Sequence, residues 1–320
     1  MLGERGTMQP VIFLLLLLVL PLSACARPGV AERADGTPLR VVATTGQIGD
    51  AVRYIAGETV EQQVLLGPGI DPHTYVATES DIRTFQRADV IFYNGLHLEA
   101  QLERVLSQLG RTGRATVVAL GETIEPSRLL GWEPEAGMPH DPHIWNDVQL
   151  WKLVVEQISA TLVVADPANA ASYRGNAAAY LRQLDELDAY IRAQVATIPV
   201  ERRVLLTAHD AFGYFARAYG FEVAAIQGIS TEAEASTADI QALASLVVER
   251  RVPAIFVETT ISPRTIEAVR AAVRAAGHEV VLGGELYSDA LGAPATSAGT
   301  YIGMMRHNVD TLVAALGASQ

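Results

Sequence analysis

Cysteine is nearly missing: Cys25 is the single one in 320 residues. No intrachain disulfide can form, so packing alone must hold the fold. Positive charge is scarce as well, with 24 Lys+Arg against 36 Asp+Glu and a formal net charge of −12. A nucleic-acid binder needs a basic face for the phosphate backbone, and this balance argues against one. The apolar run Val11–Leu20 has only ten residues, short of the about 20 that span a bilayer. A His-Glu-x-x-His helix, the zinc-protease signature, does not occur, and Gly121–Pro139 contains no histidine.

What is there begins with a targeting segment, set aside from fold reasoning. Arg5 supplies a weak positive start, Val11–Leu20 the apolar stretch, and Leu22-Ser23-Ala24-Cys25 the end. That ending resembles the bacterial lipoprotein signal, in which the cysteine is lipidated and becomes the first mature residue. The expectation is a signal peptide over 1–24, removed on export, and a lipid-anchored tether over 25–38 that has no apolar period. The protein is then extracytoplasmic, attached to the cell membrane through Cys25 or periplasmic.

The rest of the chain is long enough for two domains or one large α/β unit. Short apolar runs alternate with helical patterns, which predicts parallel sheets covered on both faces. Strands are expected at Leu39–Thr44, Val60–Leu66, Asp89–Tyr93 and Thr116–Leu120, with helices near Ile48–Ala56, Glu79–Arg87 and Leu98–Leu109. The style repeats later, with strands at Arg203–Thr207, Glu222–Ile226, Ala254–Val257 and Glu279–Leu282. Helices accompany them near Phe212–Ala218, Thr237–Arg250, Arg264–Ala275 and Tyr301–Leu316.

Between the halves, Asp166-Pro167 reads as a helix cap followed by proline in the first turn. Tyr173, Ala177, Tyr180, Leu184, Leu187, Ile191, Val195 and Ile198 then recur at steps of three and four until Pro199. A single helix of about 30 residues would be roughly 45 Å long, a stiff connector between two lobes. The fold class expected is therefore α/β: two Rossmann-like lobes, 39–165 and 200–320, joined by one long helix over 166–199.

Of seven histidines, two sit in the same phrase: Asp71-Pro72-His73-Thr74-Tyr75 and Asp141-Pro142-His143-Ile144-Trp145. The chain has three Asp-Pro pairs, and two followed by histidine by chance is on the order of one in seven hundred. The repetition favours a ligand-bearing loop: proline fixes the backbone ahead of the imidazole, and the aspartate steadies the loop or the ring. His209 directly follows a strand, at the carboxyl end where open α/β sheets place ligands. Asp289 lies just past another. Two residues from each half would meet in the cleft between lobes. Three imidazoles and a carboxylate suit one divalent ion, Zn²⁺, Mn²⁺ or Fe²⁺.

Several longer phrases then resemble one family. They are Gly67–Tyr75 (GPGIDPHTY), Ala88–Glu99 (ADVIFYNGLHLE), Asp141–Asp147 (DPHIWND), Thr207–Gly220 (TAHDAFGYFARAYG), Gln227–Ser236 (QGISTEAEAS) and Gly284–Gly292 (GELYSDALG). Together they resemble the metal-specific solute-binding lipoproteins of ABC importers, from about Leu39 to the C-terminus, and most of all the TroA-type manganese/zinc/iron-binding branch. The resemblance implies metal ligands at His73, His143, His209 and Asp289, and two α/β lobes joined by a long helix. Its implied partners are a membrane permease with its cytoplasmic ATPase, met by a monomer. Manganese-type relatives often carry Glu where this chain has His209. Many zinc-dedicated relatives have a His-rich loop before the second ligand and lack the final carboxylate. The set here is of mixed type.

An enzyme is the rival class, since three histidines and an aspartate can also hold an activated water. Glu258, ending an apolar strand, is its one candidate base; otherwise it backs a metal-bound histidine or caps a helix. His140 reads as surface, His97 as structural or on the rim, and His278 as a helix-end cation. His307 falls on a helix face, and Trp132, Trp145 and Trp151 read as packing.

Overall fold

The apolar runs at Leu39–Ala43, Val90–Tyr93, Val204–His209 and Ala254–Glu258 do become mostly buried parallel strands, as their lack of polar alternation requires. The structure, a computed structural model, describes residues 37–133 and 138–317 together with Gly3. Apart from Gly3, the expected signal peptide lies outside the described residues, as do Cys25 and all but the end of the expected tether. In chain order the first half contains β1 (Leu39–Ala43), α1 (Gly46–Ala56), β2 (Val60–Val64), α2 (Glu79–Arg87), β3 (Val90–Tyr93), α3 (Ala100–Thr112) and β4 (Thr116–Ala119). A short antiparallel hairpin, β5 (Gly131–Glu133) with β6 (Met138–His140), leads to α4 (Val148–Ala165) and α5 (Ala170–Val195). The second half has β7 (Val204–His209), α6 (Gly213–Tyr219), β8 (Glu222–Gln227), α7 (Thr237–Arg250), β9 (Ala254–Glu258), α8 (Arg264–Ala275), β10 (Val281–Leu286) and α9 (Tyr301–Leu316).

The first lobe is a four-stranded sheet in the order β2-β1-β3-β4, every pair parallel. The second contains two parallel pairs, β7 with β8 and β9 with β10, and β7 runs beside β9. Two helices begin on capping boxes that the sequence spells out. Thr78 with Asp81 opens α2, and Ser236 with Asp239 opens α7, each satisfying amide groups that have no partner inside the helix.

The long helix runs unbroken past Gly175, after a 3-10 turn at Pro167–Asn169. Its 26 residues amount to about 39 Å. The expected stripe is buried from Tyr173 to Val195. Near its start, Asn176 Nδ2 donates to the Ile55 carbonyl of α1 (2.9 Å). Toward its end, Tyr190 Oη donates to Asp310 of α9 (2.5 Å) and Arg192 Nη1 to the Ala218 carbonyl of α6 (3.1 Å). One apolar core is continuous from α1 through α4 and α5 to α9, so wide separation of the lobes would expose it at about 25 cal/mol per Å².

Three features depart from the sequence reading. Helix α4, which packs against α5 and α1, has no counterpart in the sequence pattern, because its run of Val, Leu and Ile has apolar residues on most sides and little period. By length and composition it could cross a membrane, yet half of it is buried in this core. A helix apolar nearly all round is a core helix when protein covers it. The β5–β6 hairpin was also unforeseen, its strands being three residues each.

Strand β10 runs past Leu282, the end the sequence predicts, to Leu286 through a bulge at Gly283, between the paired Leu282 and Gly284. The two glycines permit this by absence of bulk. A Cβ at Gly283 would lie 2.5 Å from the Phe256 ring, and one at Gly284, with φ +133°, 2.6 Å from Thr311 on α9. The prolonged strand sets the height at which Asp289 leaves the sheet.

Candidate metal centre

The two Asp-Pro-His phrases fold alike. In each, the aspartate Oδ1 accepts the amide of the histidine two residues on, at 2.9 Å for both Asp71–His73 and Asp141–His143. This is the turn an Asx side chain makes with its own backbone. Asp141 Oδ1 also lies 2.8 Å from His143 Nδ1, which fixes that ring and leaves Nε2 as the donor facing inward. The His143 loop is braced from behind by Asn94 Nδ2 to the Pro142 carbonyl (3.0 Å) and Tyr214 Oη to the Asp141 carbonyl (2.7 Å).

His209 is the last residue of β7, and Glu258 the last of β9 beside it. Glu258 Oε1 accepts the amides of Ala208 (2.7 Å) and His209 (2.9 Å), while Oε2 sits 2.6 Å from His209 Nδ1. Of the readings given to Glu258, the structure therefore has it backing a histidine, and it caps no helix. Asp289 follows β10. Its neighbour Ser288 accepts the Trp145 indole N–H through its carbonyl (2.8 Å).

All four residues converge. His73, His143, His209 and Asp289 are each no more than 1% exposed, and their donor atoms lie within 4.8 Å of one another. His73 Nε2 is 3.3 Å from His143 Nε2. Asp289 turns both oxygens inward, Oδ1 at 3.6 Å from His143 Nε2 and Oδ2 at 3.2 Å from His209 Nε2 and 4.0 Å from His73 Nε2. His209 Nε2 and Asp289 Oδ1 are buried without a well-directed hydrogen bond, a costly arrangement for polar atoms.

Electrostatics divide the imidazoles. Burial, aided by the neighbouring His143 and His209, lowers the His73 pKa to about 3, so its ring is neutral and ready to donate a lone pair. His209 goes the other way: burial opposes its charge, but Glu258 and Asp289 together raise its pKa well above the usual value. For Asp289, burial favours the neutral acid, and the three imidazoles overcome it and hold the carboxyl well below its usual range. Between Glu258 and Asp289, the His209 ring is thus favoured in its charged form, and His73 in its neutral one.

The remaining histidines stay out of the cluster. His97 pairs with Glu103 (2.9 Å), and His307 Nε2 reaches the Glu285 carbonyl (3.0 Å). His140, read as surface, is half-buried on β6. The sequence reading missed Thr260, whose Oγ1 is 3.4 Å from Asp289 Oδ2, and Thr231, whose Oγ1 donates to Asp71 Oδ2 at 2.6 Å. Hydroxyls carry no local signature, so nothing in the sequence marked them. Trp145 was read as packing alone; its ring lies edge-on 5.3 Å from His143, and its indole N–H also ties this loop to that of Asp289.

A buried nest of imidazoles and one carboxylate at the meeting of two α/β lobes defines a solute-binding protein built for a cation. Residues 41–315 match the family described as zinc-uptake complex component A, periplasmic, and the chain belongs to that family. The zinc-binding protein TroA of Treponema pallidum (strain Nichols) is 51% identical over 283 residues, 88% of this chain and 90% of that protein. Its solved structure, described as a periplasmic zinc-binding protein, superposes with a TM-score of 0.85 at 49% identity, covering 88% of this chain and all of that one. The manganese-binding lipoprotein MntA of Bacillus subtilis (strain 168) is 41% identical over 313 residues, 98% of this chain and 99% of that protein.

Proposed function

We propose that this protein captures one divalent transition-metal ion between its lobes and delivers it to the permease of an ABC importer, with His73, His143, His209 and Asp289 as the ligands. The observation that carries the reading is the buried convergence of three Nε2 atoms on a carboxylate with both oxygens turned inward. Membership in a zinc-uptake family supports it and speaks against the hydrolase alternative. Glu258, the only base that alternative had, is occupied by three donors of β7.

Zn²⁺ and Mn²⁺ are the ions favoured, Fe²⁺ being also compatible with the donors. Imidazole-rich sites follow the rise in first-row affinity toward zinc, and relatives named for zinc and for manganese frame the same range. Competitive titration at pH 7 should show both ions binding, Zn²⁺ tighter by at least about tenfold, or 1.4 kcal/mol. Because the His209 pKa is raised, metal must displace its proton; His73, with a pKa of about 3, has none to lose. Calorimetry in buffers of different ionisation enthalpy should therefore find about one proton released per ion. Affinity should fall roughly tenfold per unit as pH drops through the neutral range. Failure of either ion to bind would remove the proposal.

For the anchor, we propose lipidation at Cys25, with a monomer working outside the cytoplasmic membrane. Relatives named as lipoproteins support this. Each buried CH₂ of a lipid chain contributes about 0.8 kcal/mol of membrane affinity, so no spanning helix is required. Cys25→Ser should release a soluble protein that still binds metal, and mass spectrometry of the membrane-extracted form should find the first residue at Cys25 carrying lipid. An unmodified N-terminus further along would refute it. The lobe boundaries we propose are 39–165 and 200–320, with 166–199 between them; the contacts of α5 with α1 at one end and α6 and α9 at the other support this division.

A further inference from the structure

The four ligands are each at most 1% exposed, so an ion has no open route to them and some part of the protein must move aside. A cavity adjoins the cluster without reaching it, since none of the four ligands lines it. It has a volume of about 460 Å³, and its lining includes Asp71, Thr231, Glu234 and Thr260. Thr260 is in contact with Asp289, and Asp71 holds the His73 amide. From this vestibule the ligands are one side chain away on both sides.

Across it runs the segment between β8 and α7, residues 228–236, which has neither helix nor strand. It belongs to the second lobe but is fastened to the first at two successive residues. Thr231 Oγ1 donates to Asp71 Oδ2 at 2.6 Å, and Glu232 Oε1 accepts from Gln101 Nε2 at 2.8 Å. The first is a hydrogen bond to a carboxylate, the stronger kind; the second is solvent-exposed and weaker. Segments without their own secondary structure open at low free energy, so these two contacts decide how often this one does.

The geometry points to residues 228–236 as the gate of the metal path, with Thr231–Asp71 as its latch and the acidic vestibule as the entry for a hydrated divalent cation. Glu234 and Asp71 outnumber the one cation on its wall, Arg264, which favours a cation over an anion, and Thr260 stands where the ion would pass to Asp289. Thr231 is a positioning residue, acting through Asp71 and not on the ion. This inference rests on the metal-binding reading of the cluster.

The test compares exchange rates with equilibrium. Zn²⁺ release into excess chelator and Zn²⁺ capture by apo protein are followed by stopped flow for the Cys25→Ser protein and its Thr231→Val and Thr231→Ser variants. Thr231→Val should speed both release and capture about tenfold and change Kd less than about threefold, and Thr231→Ser should behave as the parent. A gate accelerates both directions; a residue that merely shapes the site would weaken Kd. Unchanged rates, or a tenfold weaker Kd with unchanged capture, overturn the proposal. A second arm does not depend on how Thr231→Val folds. In Gln101→Cys/Glu232→Cys, bridging the two thiols with a short bifunctional reagent should slow release and capture at least tenfold against the unbridged protein. Equal rates before and after bridging would overturn the gate. If the parent protein binds no Zn²⁺ at all, the metal-binding reading itself has failed, an outcome distinct from normal binding with unaltered rates.

Discussion

Asp289→Ala should abolish most Mn²⁺ binding while sparing much of the Zn²⁺ binding. The expected loss is about a thousandfold for Mn²⁺, near 4 kcal/mol, against at most about a hundredfold for Zn²⁺. Asp289 is the one anionic donor in the cluster, and both its oxygens face inward. A carboxylate that chelates through two oxygens supports the higher coordination and hard donors that Mn²⁺ takes. Zinc can keep the three imidazoles and a water in a tetrahedron. The variant also strips His209 of one of the two carboxylates that raise its pKa. Less than one proton per ion should then be displaced at pH 7, which offsets part of the zinc loss. Titration of both ions with the variant decides the matter; equal losses for the two would mean that Asp289 acts through charge alone.

Glu258→Gln is expected to weaken metal binding about a hundredfold although Glu258 is no ligand. The amides of Ala208 and His209 both point at Oε1, so in the variant the Gln oxygen must take that place. Its NH₂ then faces His209 Nδ1 at the position where Oε2 now lies 2.6 Å away. An amide NH₂ can only donate, which makes Nδ1 the acceptor and puts the ring proton on Nε2, the atom that faces Asp289. That proton must be expelled or the ring turned before metal binds. Loss of an outer partner of a metal-bound histidine commonly costs 10- to 100-fold, and the tautomer change places this one at the upper end. Glu258→Asp should recover part of the affinity, since it restores a carboxylate. Titration of the two variants checks the order; Glu258→Gln binding as tightly as the parent would show that the ring is held by packing.

Much of the site was legible because its signals are local. An Asx turn needs only an aspartate and an amide two residues on, so Asp71-Pro72-His73 and Asp141-Pro142-His143 announce the same small fold wherever they occur. His209 and Asp289 were found by a rule of position, past the carboxyl ends of strands. The connector helix was visible for a similar reason: its buried stripe from Tyr173 to Val195 keeps a helical period over 26 residues. Helix α4 gave no such trace, since a helix covered on several sides has little period to display.

Sequence alone determined the α/β class, the connector and the types of donor atom, all of which follow from spacing and side-chain chemistry within a few residues. Only the tertiary structure decided which carboxylate stands behind which ring. Asp141 serves its own neighbour His143, but Glu258 reaches His209 across 49 positions of chain, because β9 happens to run beside β7. Tertiary structure likewise decided that Trp145 ties to Ser288 and Thr231 to Asp71, contacts 143 and 160 residues apart. The protonation state was also decided there. Three chemically identical imidazoles cannot be told apart by sequence; burial beside like neighbours leaves His73 neutral, and two carboxylates keep the proton on His209. Such differences arise from distances of a few ångströms between segments remote in the chain, and a local pattern carries no record of them.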